Sequence, residues 1–376
     1  MDKIYLDNNA TTALAPEVLE AMHIALSCGP SNPSSMHSFG REAKVKLLNA
    51  RENIAAFFGV KTKELVFTSG GTEAINFLLR GVAQHLPKGK ILSSSIEHSS
   101  VETTLCSLEN EGWKVDRLPV GASGAVEIKS IEAALDETVR LFAFSAVNSE
   151  TGVKAPIDEI AALSLIRGIP LIVDGVAWLG KEAFSLHPGI SGIAFSSHKI
   201  HGPKGIGLAI VRPTIKVAPL LTGGAQEGGR RAGTENLEGI IGFAKAIELL
   251  KTLNHKTIVE LRDLFEQLLK EGCGAQVNGQ GQRICNTSNL YFPGIDGETL
   301  LIQLDMAGIA ASHGSACSAG AQEPSRVLLN MGCSEKGARS SLRFSLSRYT
   351  TRSEVETAAS TISQIVSLMM PSPDKK

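Results

Sequence analysis

Apolar side chains along this chain follow two rhythms. Residues 38–57 place them at helical spacing, and Gly59 supplies a stop. Beyond it, short continuous apolar runs alternate with helical patterns. The runs are 64–68, 90–93, 140–145, 170–174, 192–196 and 207–211, and the helical stretches fall near 72–86, 98–111, 129–136 and 157–167. Uninterrupted apolar strands that alternate with helices predict an α/β fold, with a mainly parallel sheet covered on both faces. Ligands in such folds sit outside the carboxyl ends of the strands, so the segments just after each strand carry the functional information. A single long helical stretch, 237–272, leads into a second region that mixes helices with apolar segments at 286–292 and 342–346. The expected division is a large domain at 12–254 and a smaller α/β domain of 255–376 joined by residues 1–11.

Composition narrows the class. A length of 376 residues exceeds what one core usually serves, and 43% apolar with 20% charged residues is an ordinary globular mix. A net charge of -1 offers no basic field for nucleic acid or an anionic membrane. No apolar run reaches the ~18–20 residues of a membrane span, and the start MDKIYLDNNATT has no secretory apolar core. The expectation is a cytoplasmic protein. Six cysteines, at 28, 106, 273, 285, 317 and 333, show no C-x-x-C spacing, so no metal site and no disulfide framework is expected.

The chemistry sits where the fold class puts it. Ser196-Ser197-His198-Lys199 follows a strand and precedes a glycine-rich turn, Gly202-Pro203-Lys204-Gly205. A lysine partly desolvated there has a lowered pKa and can form a Schiff base; the alternative is a surface-loop lysine. Asp174 ends the preceding strand, where a carboxylate can hold a proton on a pyridinium nitrogen or simply serve as a helix N-cap. The Ser69-Gly70-Gly71-Thr72 turn opens a helix and makes an anion site from backbone amides and the helix dipole. His98 can stack on a ring and pass protons, and Asn148 can donate to a ring hydroxyl; a structural histidine and plain turn chemistry are the alternatives. Arg343, inside an apolar strand, needs a partner, either a substrate carboxylate taken bidentately or a structural ion pair. Cys317 lies in Ala311–Gly320, a stretch of small residues without apolar period, which predicts an exposed loop with a reachable thiol. The other five cysteines lie beside helical or strand patterns and are expected to be core or incidental.

In order and spacing, these segments resemble the NifS/IscS-type cysteine desulfurases of the class-V aminotransferase family, pyridoxal-phosphate enzymes of fold type I. The resemblance runs from Tyr5–Thr12 and Asn32–Glu42 to Arg343–Thr351, nearly the whole chain. It implies a seven-stranded large-domain sheet and a homodimer. It implies Lys199 as the Schiff-base lysine, Asp174 as the ring-nitrogen partner and His98 as the stacking residue. Asn148 would lie near the ring hydroxyl and the substrate. Gly71, Thr72, Ser196 and His198 would contact the phosphate, joined by Thr234 from the neighbouring subunit. Arg343 would take the carboxylate of L-cysteine, and Cys317 would accept its sulfur as a persulfide. Sulfur would then pass to an acceptor protein such as an iron–sulfur scaffold.

Some positions depart from the family pattern. Ala177 stands where a glutamine usually donates to the phenolic oxygen of the cofactor, and Gly228 stands where an arginine is usual. His313 replaces a serine or threonine, and Ser347 a glycine. Competing readings are a selenocysteine lyase, a weakly active pyridoxal-phosphate-binding scaffold protein, and an aminotransferase, which needs no thiol loop.

Overall fold

The computed structural model describes residues 3–183, 185–314 and 323–370. Its centre is a seven-stranded sheet in the order Leu65–Thr68, Gly207–Val211, Gly192–Ser196, Leu171–Asp174, Val139–Ser145, Lys90–Ser94 and Lys114–Leu118. Only Gly207–Val211 runs antiparallel to its neighbours. Side chains of each strand alternate between two cores. Phe142, Phe144, Leu171, Val173, Ile193 and Phe195 pack into one, while Leu141, Ala143, Ile172 and Ala194 pack into the other. This two-sided burial explains why the strands read as unbroken apolar runs rather than as alternating ones.

The expected helices and strands are present within a few residues of their sequence bounds, and helix Ser38–Phe58 ends at Gly59 with φ 65°. The exception is 237–272, which is not one helix. It divides into Leu237–Glu248, a 3-10 turn Leu249–Thr252, and His255–Cys273. The break falls where the Asn254 side chain accepts from the Lys256 N–H at 3.1 Å and caps the new helix. Several elements went unread, among them the two-residue strands Ile4–Tyr5, Gln276–Val277 and Ile309–Ala310. Helix Pro16–Leu26 has proline in its first turn, and strand Lys114–Leu118 lies at the sheet edge with most positions half-buried or exposed, so it lacks the apolar run of the inner strands.

A third core joins Ile4 and Leu6 to residues from Ile258 to Val366, covering the three-stranded sheet of Ser341–Ser345, Thr287–Tyr291 and Gln276–Val277. Val327, Leu328, Met331 and Ala338 instead pack into the large core beside the central sheet.

Candidate functional site

The carboxyl ends of the parallel strands converge on the residues singled out above. Asp174 closes its strand and is buried, and Oδ1 accepts from the Val176 N–H at 2.9 Å. Burial raises its pKa; the positive fields of His98 and Lys199 and the Val176 hydrogen bond oppose that shift. Those couplings bring three expected residues into one electrostatic neighbourhood. His98 caps helix Ser99–Asn110: Nδ1 accepts from the Ser100 N–H at 3.1 Å and pairs with its hydroxyl at 2.7 Å. A neutral ring accepting at Nδ1 carries its proton on Nε2.

Lys199 lies in a 3-10 turn after Gly192–Ser196, and its amine donates to the Asn9 carbonyl at 2.5 Å and the Ala10 carbonyl at 2.9 Å. The same N-terminal segment is strapped to the turn elsewhere. Thr12 N–H and Oγ1 donate to the His198 carbonyl, and the His198 ring lies 3.1 Å from Thr11 Oγ1. Burial and the charges of Lys199 and Lys204 push His198 down to about 4, so it is neutral at pH 7.

Gly70, Gly71 and Thr72 open helix Gly71–Ala83 after strand Leu65–Thr68. A Cβ on Gly71 would stand 2.7 Å from Val176 Cγ2 and 3.5 Å from Ser196 Cβ, so this turn, the segment after Asp174 and Ser196 are in close contact. The arginine displaced by Gly228 has a counterpart near this turn. Arg231 pairs with Glu73 at 2.8 Å, and Glu73 in turn accepts from the Ser69 N–H at 2.7 Å. Gly228 itself sits in a left-handed run, with Glu227 at φ 51°, Gly228 at φ 68° and Gly229 at φ 75°. Thr234 is exposed at a cleft of about 190 Å³ shared with Thr68, Ser69 and Gly205.

Asn148 is held at both ends of its amide. Nδ2 donates to the Ile96 carbonyl at 3.1 Å, and Oδ1 accepts from the Glu150 and Thr151 N–H groups at 3.0 Å each. Arg343 is buried; its NH2 donates to Asp7 at 2.6 Å and its NH1 to the Ser149 carbonyl at 3.3 Å. Asn9 closes the circuit, because its Nδ2 donates to the same Ser149 carbonyl while its own carbonyl holds Lys199.

Cys317 lies outside the described residues. The flanks of its segment do not: Ser325 Oγ donates to Glu150 Oε2 at 2.5 Å, and a Cβ on Gly314 would stand 3.6 Å from the same oxygen. Of the remaining cysteines, only Cys285 is buried, and Cys28 and Cys106 are exposed.

The structure adds residues that the sequence reading left unassigned. Glu97 is fully enclosed and accepts from Ser94 Oγ and from both the amide and hydroxyl of Ser145. Burial, with Asp174 nearby, lifts its pKa to about 7. Arg326 clamps the same turn through the Ser95 and Glu97 carbonyls. Glu97 carried no signal beyond its place next to His98, and Arg326 lies in no segment that the sequence singled out. Among the described residues no group of three His, Cys, Asp or Glu side chains is placed to hold a metal.

Comparison with known proteins places the chain in a family. A cysteine desulfurase from Trichormus azollae is 42% identical over 374 residues, covering 97% of this chain and 93% of the relative. A solved NifS-like protein superposes with a TM-score of 0.91 at 34% identity, covering 97% of this chain and all of the other. A structure described as SspA in complex with cysteine gives 0.83 at 32% identity over 93% of this chain and 100% of its own. The model of the class-V aminotransferases matches residues 4–357, and the chain belongs to that family.

Proposed function

We propose that this chain is a pyridoxal-phosphate-dependent cysteine desulfurase. It converts L-cysteine to L-alanine and receives the sulfur on Cys317. The observation that carries this reading is the convergence of Asp174, His98 and Lys199 with Arg343, beside the Glu150 anchorage of the Cys317 segment. The residues fit the cofactor. A buried carboxylate, an amine on a strand-end turn and a glycine cradle too close-packed for a Cβ are the donor set such a ligand requires. When bound, the cofactor supplies an electron sink that acidifies the α-proton of an attached amino acid.

The chain's own residues do the rest. Lys199 holds the cofactor and, once released, moves the α-proton. With the cofactor bound, Asp174 would pair with the ring nitrogen and His98 would stack on the ring. Gly71, Thr72, Ser196 and His198 would hold its phosphate, with Thr234 of a second copy. Asn148 and Arg343 orient the substrate, Arg343 through its carboxylate. The C–S bond of cysteine breaks and an S–S bond to Cys317 forms, while the carbon takes a proton to give alanine. The carbon keeps the electron pair of the broken C–S bond and is reduced as the sulfur is oxidised, so no outside oxidant is needed. The attacking Cys317 must be a thiolate.

A homodimer, the two-domain division given above and a cytoplasmic setting belong to the same reading. It is supported by the exposed Thr234 and by exposed Met36, Phe39 and Leu48; among the described residues no helix is long and apolar enough to cross a membrane. The sulfur then passes to an acceptor protein such as an iron–sulfur scaffold.

The test incubates purified holoenzyme with L-cysteine and measures alanine together with persulfide on Cys317. Alanine should form with the wild type. Cys317→Ala should form no persulfide, and Lys199→Ala should lose turnover and the visible absorbance of the bound cofactor. Turnover without any sulfur on Cys317 would sink the proposal.

A further inference from the structure

Arg343 is 2% exposed, yet its hydrogen bonding is incomplete. NH2 meets Asp7 and NH1 meets the Ser149 carbonyl, while Nε is buried with no partner among the described residues. A buried N–H left unmade is costly, so the Nε edge is a place where an acceptor is expected. On the reading that Arg343 takes the substrate carboxylate, that edge is where the carboxylate arrives.

The guanidinium it meets is already paired. Asp7 Oδ1 stands 2.6 Å from NH2, and its other oxygen is 3.5 Å from the Ser312 hydroxyl. Backbone bonds fix the arrangement. Asp7 bridges to Ser345 in register, and Ser312 exchanges both N–H···O bonds with Arg343, at 3.1 and 2.7 Å. Asp7 therefore cannot move away easily when a second carboxylate enters. Its side chain keeps 15% exposure against 2% for Arg343.

We propose that Asp7 is a positioning residue, the resident counter-ion of Arg343, and that it sets a ceiling on affinity for both substrate and product carboxylates. Without ligand it compensates a buried cation. With ligand it repels the incoming carboxylate across a shared guanidinium and weakens binding of cysteine and alanine alike. Release of alanine is thereby eased.

This role has a sign that a merely structural pair lacks. Asp7→Asn keeps an oxygen for NH2 but removes the charge. The dissociation constant of L-alanine for the holoenzyme, measured by calorimetry, should fall on the order of tenfold. KM for cysteine should fall with it, and kcat should fall as alanine release slows. Ethylamine, which lacks the carboxylate, should bind within about twofold of the wild type. Weaker or unchanged alanine binding in Asp7→Asn would overturn the proposal. Asp7→Ser carries the same signed expectation should Asp7→Asn not fold; failure of both to fold would make the pair structural and also count against it.

A parallel Arg343→Ala measurement separates the two ideas. If that variant loses alanine affinity on the order of a hundredfold while Asp7→Asn gains none, only the counter-ion role fails. If Arg343→Ala binds alanine as the wild type does, the carboxylate reading of Arg343 fails and the proposal goes with it.

Discussion

Ala177 shows how one side chain can retune a site without moving it. It lies three residues past Asp174, in the turn whose Val176 presses on Gly71. A methyl group donates nothing, so a glutamine restored at this position would add a hydrogen bond to the phenolic oxygen of the cofactor. One such bond is worth roughly 0.5–1.5 kcal/mol, and 1.36 kcal/mol is one pKa unit. By stabilising the phenolate it weakens that oxygen's hold on the neighbouring imine proton. Ala177→Gln should therefore lower the pH midpoint of the lysine-linked chromophore by up to about one unit. Absorbance titration of the two proteins checks this, and identical midpoints would refute it. Arg343 marks the limit of single-residue reading. The sequence left a substrate carboxylate and a structural ion pair open, and the structure gives it an ion pair with Asp7 together with an Nε that has no partner among the described residues.

The short segment Gln226–Gly229 ties two larger elements together. The buried Glu227 carboxylate pairs with Arg51 of helix Ser38–Phe58 at 2.5 Å, and its other oxygen accepts from the Phe67 N–H of the edge strand at 3.0 Å. Removing the charge leaves Arg51 without its counter-ion in a site where both side chains are largely enclosed. Breaking a buried pair this way costs about 3–5 kcal/mol, whereas an exposed pair is worth less than about 1 kcal/mol. Glu227→Gln should thus lower the thermal midpoint by several degrees, while Glu260→Gln, whose partner Lys256 is 84% exposed, should leave it almost unmoved. Equal midpoints would show that the pair does not hold the strand to the helix. Elements of this kind also mark what a sequence makes legible. Inner strands and the residues at their ends were readable because two-sided burial leaves unbroken apolar runs. The edge strand Lys114–Leu118 hides its pattern in half-wet positions, and the break at Asn254 is a capping event inside a continuous helical rhythm. Asn9 escaped for a different reason: its role depends on Ser149 and Lys199, 140 and 190 residues away, and no local pattern encodes that.

Across the whole molecule, a polar seam joins the small core to the large one. Asn286 donates to Asn9, Asn289 to the Glu150 carbonyl, and Arg343 to Ser149, so the site lies along the contact between the two packing units. The N-terminal segment forms part of that seam and is strapped over the Lys199 turn by two histidines. His201 Nδ1 donates to the Ala13 carbonyl at 2.9 Å, and its ring meets Tyr349 edge-on at 4.8 Å. Burial, with the charges of Lys181 and Arg348, pushes His201 down to about 4, as burial does for His198. Both groups have folded pKa values below the 6.5 of an ordinary histidine, so the unfolded chain binds their protons first. Their contribution is complete above about pH 6.5 and is lost as pH falls towards 4, at no more than about 1.4 kcal/mol per pH unit for each. Glu97 and Asp174 work in the opposite direction, because burial raises both carboxylates and protonation on acidification relieves them. The histidine contribution must therefore be read as a difference between proteins. His201→Asn keeps a donor for Ala13 but cannot titrate. Between pH 7 and 4.5 the thermal midpoint of its holoenzyme should fall less steeply than that of the wild type. Parallel curves would mean that His201 takes up no extra proton on unfolding, and that the strap over Lys199 is indifferent to acid.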